Sequence, residues 1–214
     1  MFYFLRKYSG KNRAFTTLEL MIVIATIAIL ASLILPTFSK VKRSMYANQS
    51  KIQFSRYVFG LNAYYREYGY FPPIAGEGQT LDLENVITLN DTFSSNLICA
   101  LSGKETDGVS MLSLAHKYLN PNGTQFVEFS DDDFWKNASG NIDRGILADR
   151  FNNSSIHLVF EGDADTDVLI PKTVFSGYSS IQEKIPPTGL REKVAIFTEG
   201  DNDTSIDVVS WKTN

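Results

Sequence analysis

Ala14-Phe15-Thr16-Thr17-Leu18-Glu19-Leu20-Met21-Ile22-Val23-Ile24-Ala25-Thr26-Ile27-Ala28-Ile29-Leu30-Ala31-Ser32-Leu33-Ile34-Leu35-Pro36 is apolar throughout except for a few hydroxyls and one carboxylate, Glu19. The leader before it carries Arg6, Lys7, Lys11 and Arg13 and no acid. Phe15 to Leu35 is 21 residues, against roughly 20 needed to cross a bilayer as a helix. A plain anchor has no use for Glu19, because a charge within such a segment costs about 2.5–3.5 kcal/mol and marks function. An ordinary secretory signal has its small-residue cleavage site after the apolar run. Here the run leads instead into Pro36-Thr37-Phe38-Ser39-Lys40.

A basic leader, a small residue, Phe15, a glutamate four positions on and an unbroken apolar run together resemble the class III signal of type IV prepilins and type II secretion pseudopilins. In that family a dedicated peptidase cuts just before the Phe and the new N-terminus is methylated. The resemblance therefore assigns cleavage and methylation to Ala14 and Phe15, and assembly to Glu19. The family usually has Gly before the cut. Ala14 is small enough to fit the peptidase, with slower processing expected.

Residues 1–14 carry four positive charges and no negative ones, so their removal takes the formal net charge from −4 to −8. An acidic remainder argues against nucleic acid as a partner, since phosphate contacts need clustered Lys and Arg. It suits a divalent cation or a basic protein surface. Lys and Arg stay on the cytoplasmic side of a span, which places the C-terminal domain outside the cytoplasm. Cys99 is the sole cysteine, so no intramolecular disulfide can form. Many type IV pilins close a C-terminal loop with one, and something else must do that here. Cys99 itself, in Asn96-Leu97-Ile98-Cys99-Ala100-Leu101, reads as a buried core thiol.

Pro36 removes one backbone bond within the helix and bends its axis. Beyond it Phe38, Val41, Met45, Ile52, Phe59 and Ala63 recur close to multiples of 3.5, with Lys40, Lys42, Arg43, Lys51 and Arg56 between them. This is an amphipathic helix over 37–70 whose apolar stripe is expected to pack on a sheet. Gly69 and Pro72-Pro73 end it. Tyr64, Tyr65, Tyr68, Tyr70 and Phe71 read as a clasp between helix end and sheet, rather than a stacking platform for bases. Pseudopilins have a similar tyrosine-then-proline stretch there. A polar loop over 74–90, a helix over 91–102 ended by Gly103, and a turn then an alternating strand over 118–129 follow. Asp131-Asp132-Asp133 reads as a solvated turn. Strands are expected at 156–160, 194–198 and 206–211. The class is α+β: a long N-terminal helix, with a membrane half and an amphipathic half, on a small antiparallel sheet, as in pilins.

Two acidic loops invite a hard cation, which takes six to eight oxygen ligands. Glu199-Gly200-Asp201-Asn202-Asp203-Thr204-Ser205-Ile206-Asp207 through Trp211 offers Asp201, Asn202, Asp203 and Asp207. It resembles the calcium-binding "G-P-D-G … D-D-I … W" loop of major pseudopilins, with Gly200, Asp207 and Trp211 matching and Asn202 standing at an aspartate. An Asx-rich turn satisfied by its own backbone is the competing reading. Asp163, Asp165 and Asp167 have EF-hand-like spacing, but Val168 and Val174 stand where that loop needs Gly and Glu. Asp149-Arg150-Phe151-Asn152-Asn153 resembles the family's "D-P-W-G-N" turn at its first and last residues. No G-x-S-x-G, H-E-x-x-H, paired CxxC or P-loop occurs, and His116 and His157 read as structural, so no enzyme is expected.

The organisation expected is a prepilin leader at 1–14, a transmembrane and filament-core helix at 15–36, an amphipathic helix at 37–70 and a globular head at 71–214. The resemblance implies a pseudopilin of a type II protein secretion system. It would sit in the bacterial inner membrane as a single-pass protein with a periplasmic head. Its partners would be itself, other pilin-like subunits, the prepilin peptidase and an inner-membrane assembly platform. A type IV pilin of an adhesion, twitching or DNA-uptake filament is the alternative, and a membrane-tethered calcium-dependent binding protein a further one. Mass spectrometry of membrane-extracted protein should find a chain starting at N-methyl-Phe15. A mature N-terminus beyond Pro36 would identify an ordinary signal peptide instead.

Overall fold

Helix α1 (Thr17–Tyr68, 52 residues) leads the computed structural model, which describes residues 16–78, 85–161, 169–200 and 206–212, with backbone alone at 33–37. The chain divides into two compact units between Lys42 and Arg43. In the first unit α1 is assigned without a break through position 36, and the described side chains of residues 16–32 are all exposed. Among the described residues no helix is long and apolar enough to cross a membrane. Phe15 and the side chains of 33–36, which the expected span includes, lie outside them.

In the second unit the remainder of α1 buries Ser50, Gln53, Phe54, Tyr57, Leu61 and Tyr64, a stripe at the three-to-four-residue spacing of one helix face. The face expected to pack inward does the opposite. Phe38 and Val41 are exposed, and so are Met45 at 46%, Ile52 at 70% and Phe59 at 65%. The inner stripe is harder to see because it opens on Ser50 and Gln53. Both are satisfied there: Gln53 Nε2 donates to the Ala148 carbonyl at 2.8 Å and Ser50 Oγ accepts from the Arg150 amide at 2.9 Å.

The rest is β1 (Ile87–Thr88), α2 (Asp91–Ser102), β2 (Phe134–Lys136), β3 (Ile142–Leu147), β4 (His157–Phe160), α3 (Ser179–Gln182), β5 (Val194–Thr198) and β6 (Val208–Val209). The strands form an antiparallel sheet of order β1-β4-β5-β6 and a separate β2-β3 hairpin. The protein is α+β. Every residue of β4, β5 and β6 is buried. Leu158, Phe160, Val194, Ile196 and Val208 pack with α1 and α2. The alternate residues Val159, Ala195, Phe197 and Val209 pack with Ile170, Phe175, Ile181, Ile185, Leu190 and Trp211. The segment 169–191 is thus a third layer.

Local signals set the helix ends. Asn90 caps α2 by accepting from the Phe93 amide at 2.8 Å, and Gly103 ends it at φ 68°. Gly69, at φ 80°, follows the last residue of α1. The aromatic clasp is present: Tyr64 donates to the Leu119 carbonyl at 2.7 Å, and Phe71 lies 4.6 Å from Phe160 of β4. Three local expectations change. Residues 124–129 form no strand, because the Phe126 and Val127 amides both donate to the one carbonyl of Leu101, at 2.8 and 2.9 Å. The strand expected at 206–211 shortens to Val208–Val209. Asp131–Asp133 is a 3-10 turn in which Asp131 and Asp132 are solvated as expected but Asp133 is not: it is fully buried, capped by Ser130 and bonded to Arg56 at 2.6 Å. Asp131 pairs with Arg144, and Asp132 with Lys136 and Arg150.

At Gly103 an added Cβ would lie 2.6 Å from the Gly123 carbonyl oxygen. Gly140 shares its left-handed conformation but has nothing near. Gly103→Ala should therefore cost about 2 kcal/mol or more and lower the thermal midpoint of the full chain by about 4–8 °C. Gly140→Ala should cost about 1 kcal/mol, the conformational term alone.

Candidate functional site

Glu19 sits at the third position of α1, and its carboxylate turns back on the helix start. Glu19 Oε2 accepts from the Thr16 amide and the Thr16 hydroxyl, both at 2.9 Å, while the Glu19 amide donates to Thr16 Oγ1 at 3.2 Å. This is a capping box, in which two orphan donors at a helix start are satisfied reciprocally. Thr16-Thr17-Leu18-Glu19 is the sequence signature of that motif, a local signal that the reading of Glu19 as an acid within a span passed over. Ala14 and Phe15 lie outside the described residues.

Asp207 closes the neck of the C-terminal loop. Its Oδ1 accepts from the Gly200 amide at 2.7 Å, and its Oδ2 from Lys184 Nζ at 2.7 Å. A Cβ on Gly200 would collide with the backbone of Ile206 and Asp207, so Gly lets the two sides of the neck meet. Trp211, 2% exposed, packs on Phe175 and Phe197 and donates from Nε1 to the Lys184 carbonyl at 3.4 Å. Lys184 thus holds the loop from both ends of its own residue. Burial by itself raises the Asp207 carboxyl, but the Lys184 ammonium and the Gly200 amide outweigh it and hold the group below the usual carboxylate range. Asp201, Asn202 and Asp203, and likewise Asp163, Asp165 and Asp167, lie outside the described residues. A calcium ion using Asp207 has to compete with the Lys184 ammonium for Oδ2.

The Asp149–Asn153 turn braces the same neck. Asp149 Oδ1 accepts from the Phe151 and Asn153 amides, its Oδ2 from the Thr198 hydroxyl, and Asn153 Nδ2 donates to the Glu199 carbonyl at 3.1 Å. Asn152 takes φ 65°, a left-handed conformation that asparagine tolerates. Its amide group pairs with both backbone groups of Lys136.

His157 is buried, stacked on Phe197 at 4.9 Å and 2.9 Å from Thr88 Oγ1, and burial lowers it to about 4. It is a structural residue. Cys99 is buried as expected, yet it faces two groups that linear reading did not connect with it, Glu105 and His116. Burial, with the Glu105 charge adding, pushes the Cys99 thiol up to about 12. Separations of six and eleven residues along the chain match no familiar motif, so only the fold brings them together.

No family model, no curated protein and no solved structure matches the chain.

Lys184→Met should lower stability at neutral pH by about 1.5–3 kcal/mol, the worth of a bond to a charged group. Because the folded carboxyl of Asp207 is depressed, its contribution is present above the unfolded value of 3.8 and fades as pH falls through the lower folded value. The gap between variant and parent in thermal midpoint should therefore close below about pH 4. If the loop takes calcium, the ion should raise the midpoint of Lys184→Met more than that of the parent, and Asp207→Ala should abolish both responses.

Proposed function

We propose that the chain is a pilin-like filament subunit, of the type II secretion pseudopilin kind, cut before Phe15, anchored through residues 15–36 and polymerised through α1. The supporting observation is the second apolar face of α1. Met45, Ile52 and Phe59 stand seven residues apart and exposed while the opposite face is filled by the head. A seven-residue apolar repeat is the spacing of a seam between helices. Phe38, seven residues before Met45, carries the repeat toward the apolar run. A tether needs neither an exposed seam nor an acid within its span. A filament core, in which α1 of each subunit packs on its neighbours, uses both.

Glu19 then has two states. In the lone subunit its carboxylate is held by Thr16, which offsets part of the penalty of lipid. In the filament it exchanges those donors for the methylated amine of Phe15 on a neighbour, a charged partner in a dry core. The register of the incoming subunit is fixed by that pairing. The leader keeps the N-terminus cytoplasmic before cleavage, so the head waits on the periplasmic face of the inner membrane for the assembly platform.

Glutamine serves in a capping box as well as glutamate does. Glu19→Gln should therefore be made, inserted and cleaved normally yet fail to enter filaments, as scored by electron microscopy and by secretion. Normal assembly of this variant would reduce Glu19 to a cap. On the seam, Ile52→Asp should leave the thermal midpoint nearly unchanged, since exposed substitutions cost within about 0.5 kcal/mol, but block assembly. Phe54→Ala, on the inner face, should lose about 3–5 kcal/mol. Filaments built from Ile52→Asp would remove the seam from the mechanism.

A further inference from the structure

Helix α2 ends at Ser102, and the segment that follows leaves the core and returns at Leu119. Cys99, 1% exposed, stands in the last turn of α2. Glu105 lies just past the Gly103 cap, and His116 near the return. Cys99 Sγ is 3.9 Å from Glu105 Oε2, His116 Nδ1 is 2.8 Å from the same oxygen, and the ligand atoms of all three lie within 4.8 Å of one another. Three side chains from three separate points of the chain converge on one spot, one from the core and two half-exposed.

We infer that Cys99, Glu105 and His116 form a site for a thiophilic divalent cation, Zn2+ by preference, which staples the 104–118 segment to the end of α2. Zinc binds sulfur at about 2.3 Å and nitrogen or oxygen at about 2.0–2.2 Å in a tetrahedron, so its ligand atoms stand about 3.3–3.6 Å apart. The Sγ–Oε2 distance must shorten slightly and the Nδ1–Oε2 distance must open, both within the reach of side-chain rotation. The donor set decides the metal. A thiolate with an imidazole suits zinc and rejects calcium and magnesium, which take oxygen ligands. Three protein ligands leave the fourth position to water, on the half-exposed side where His116 and Glu105 meet solvent.

The carboxylate is oriented from outside the triad: Glu105 Oε1 accepts from the Ser113 amide at 2.8 Å. Metal sites rely on such outer partners to fix their ligands. The segment also needs a staple. Apart from the Lys104–Met111 bridge and local turns it has no regular structure, and Val109, Met111 and Leu114 stand 81–93% exposed along it. Apolar side chains held in water are poor anchors, and a lone cysteine allows no disulfide to replace them. An ion closing the segment against α2 supplies the constraint. This site is independent of the filament reading and of the 199–211 loop.

The test uses the full chain, detergent-solubilised, reduced and treated with chelator. Titration with Co2+ should produce a near-ultraviolet thiolate charge-transfer band and tetrahedral visible bands, saturating at one ion per chain. Zn2+ should displace the cobalt and raise the thermal midpoint of the parent, while Ca2+ and Mg2+ should leave the cobalt in place. Cys99→Ser should lose the charge-transfer band. His116→Ala, at the half-exposed rim where folding is not at stake, should weaken Zn2+ by at least about tenfold. Absence of the band in the parent, displacement of cobalt by Ca2+, or Zn2+ affinity unchanged in His116→Ala would each overturn the assignment. Should Cys99→Ser fail to fold, His116→Ala decides alone.

Discussion

Helix α1 carries more apolar surface than its own head can cover, and the rest of the molecule is arranged around that constraint. Burying an apolar side chain contributes roughly 1.5–3 kcal/mol, so both faces of the helix gain from a partner. One face, through Phe54, Tyr57, Leu61 and Tyr64, becomes the floor of the head. The other, through Met45, Ile52 and Phe59, is left in solvent. A helix cannot turn both faces to a single sheet. In the filament proposed above that outer face takes a neighbouring subunit; in the lone chain the head has to be stable without it.

The head meets that demand by pinning α1 through polar groups as well as apolar ones. Arg56 reaches the buried carboxylate of Asp133, and Gln53 and Ser50 bond to the backbone at Ala148 and Arg150. These bonds fix the rotation of α1 about its axis, because a turn of the helix would bury Ile52 and draw Arg56 away from Asp133, leaving only the longer contact to Arg150 at 3.6 Å. The same economy holds the C-terminal loop. With no second cysteine to form a disulfide, Lys184 bonds Asp207 through its ammonium and Trp211 through its carbonyl. The Asp149–Asn153 turn holds the end of β5 and the first residue of the neck through Thr198 and Glu199. The pairing of Thr198 with Val208 sets Glu199 and Asp207 side by side at the neck.

Signals that act over three or four residues were legible along the chain. Gly69 and Gly103 end helices because only a residue free of Cβ strain takes the left-handed turn there. The strands at 156–160 and 194–198 show in runs of β-branched and aromatic residues. The clasp of Tyr64 and Phe71 follows from aromatics at a helix end. The capping box of Thr16 and Glu19 is a local motif written in four letters too, but one passed over in favour of the acid. The two-faced burial of β4 and β5 did not show, since a continuous apolar run is silent about what covers each side until the 169–191 layer is in place.

By itself, then, the sequence determined where α1 ends and where α2 starts and stops, that an apolar stretch with one acid precedes the head, and that no disulfide could lock it. Those properties depend on neighbours a few bonds apart, whose geometry the backbone dictates. Only the tertiary structure decided which apolar face of α1 turns inward, that Asp133 is buried against Arg56, and that residues 124–129 give up a strand to share the Leu101 carbonyl. It also decided that Cys99 meets Glu105 and His116. Each of these choices sets one long-range contact against another of similar apolar content. The balance is struck by hydrogen bonds between residues distant in sequence, which no local pattern encodes.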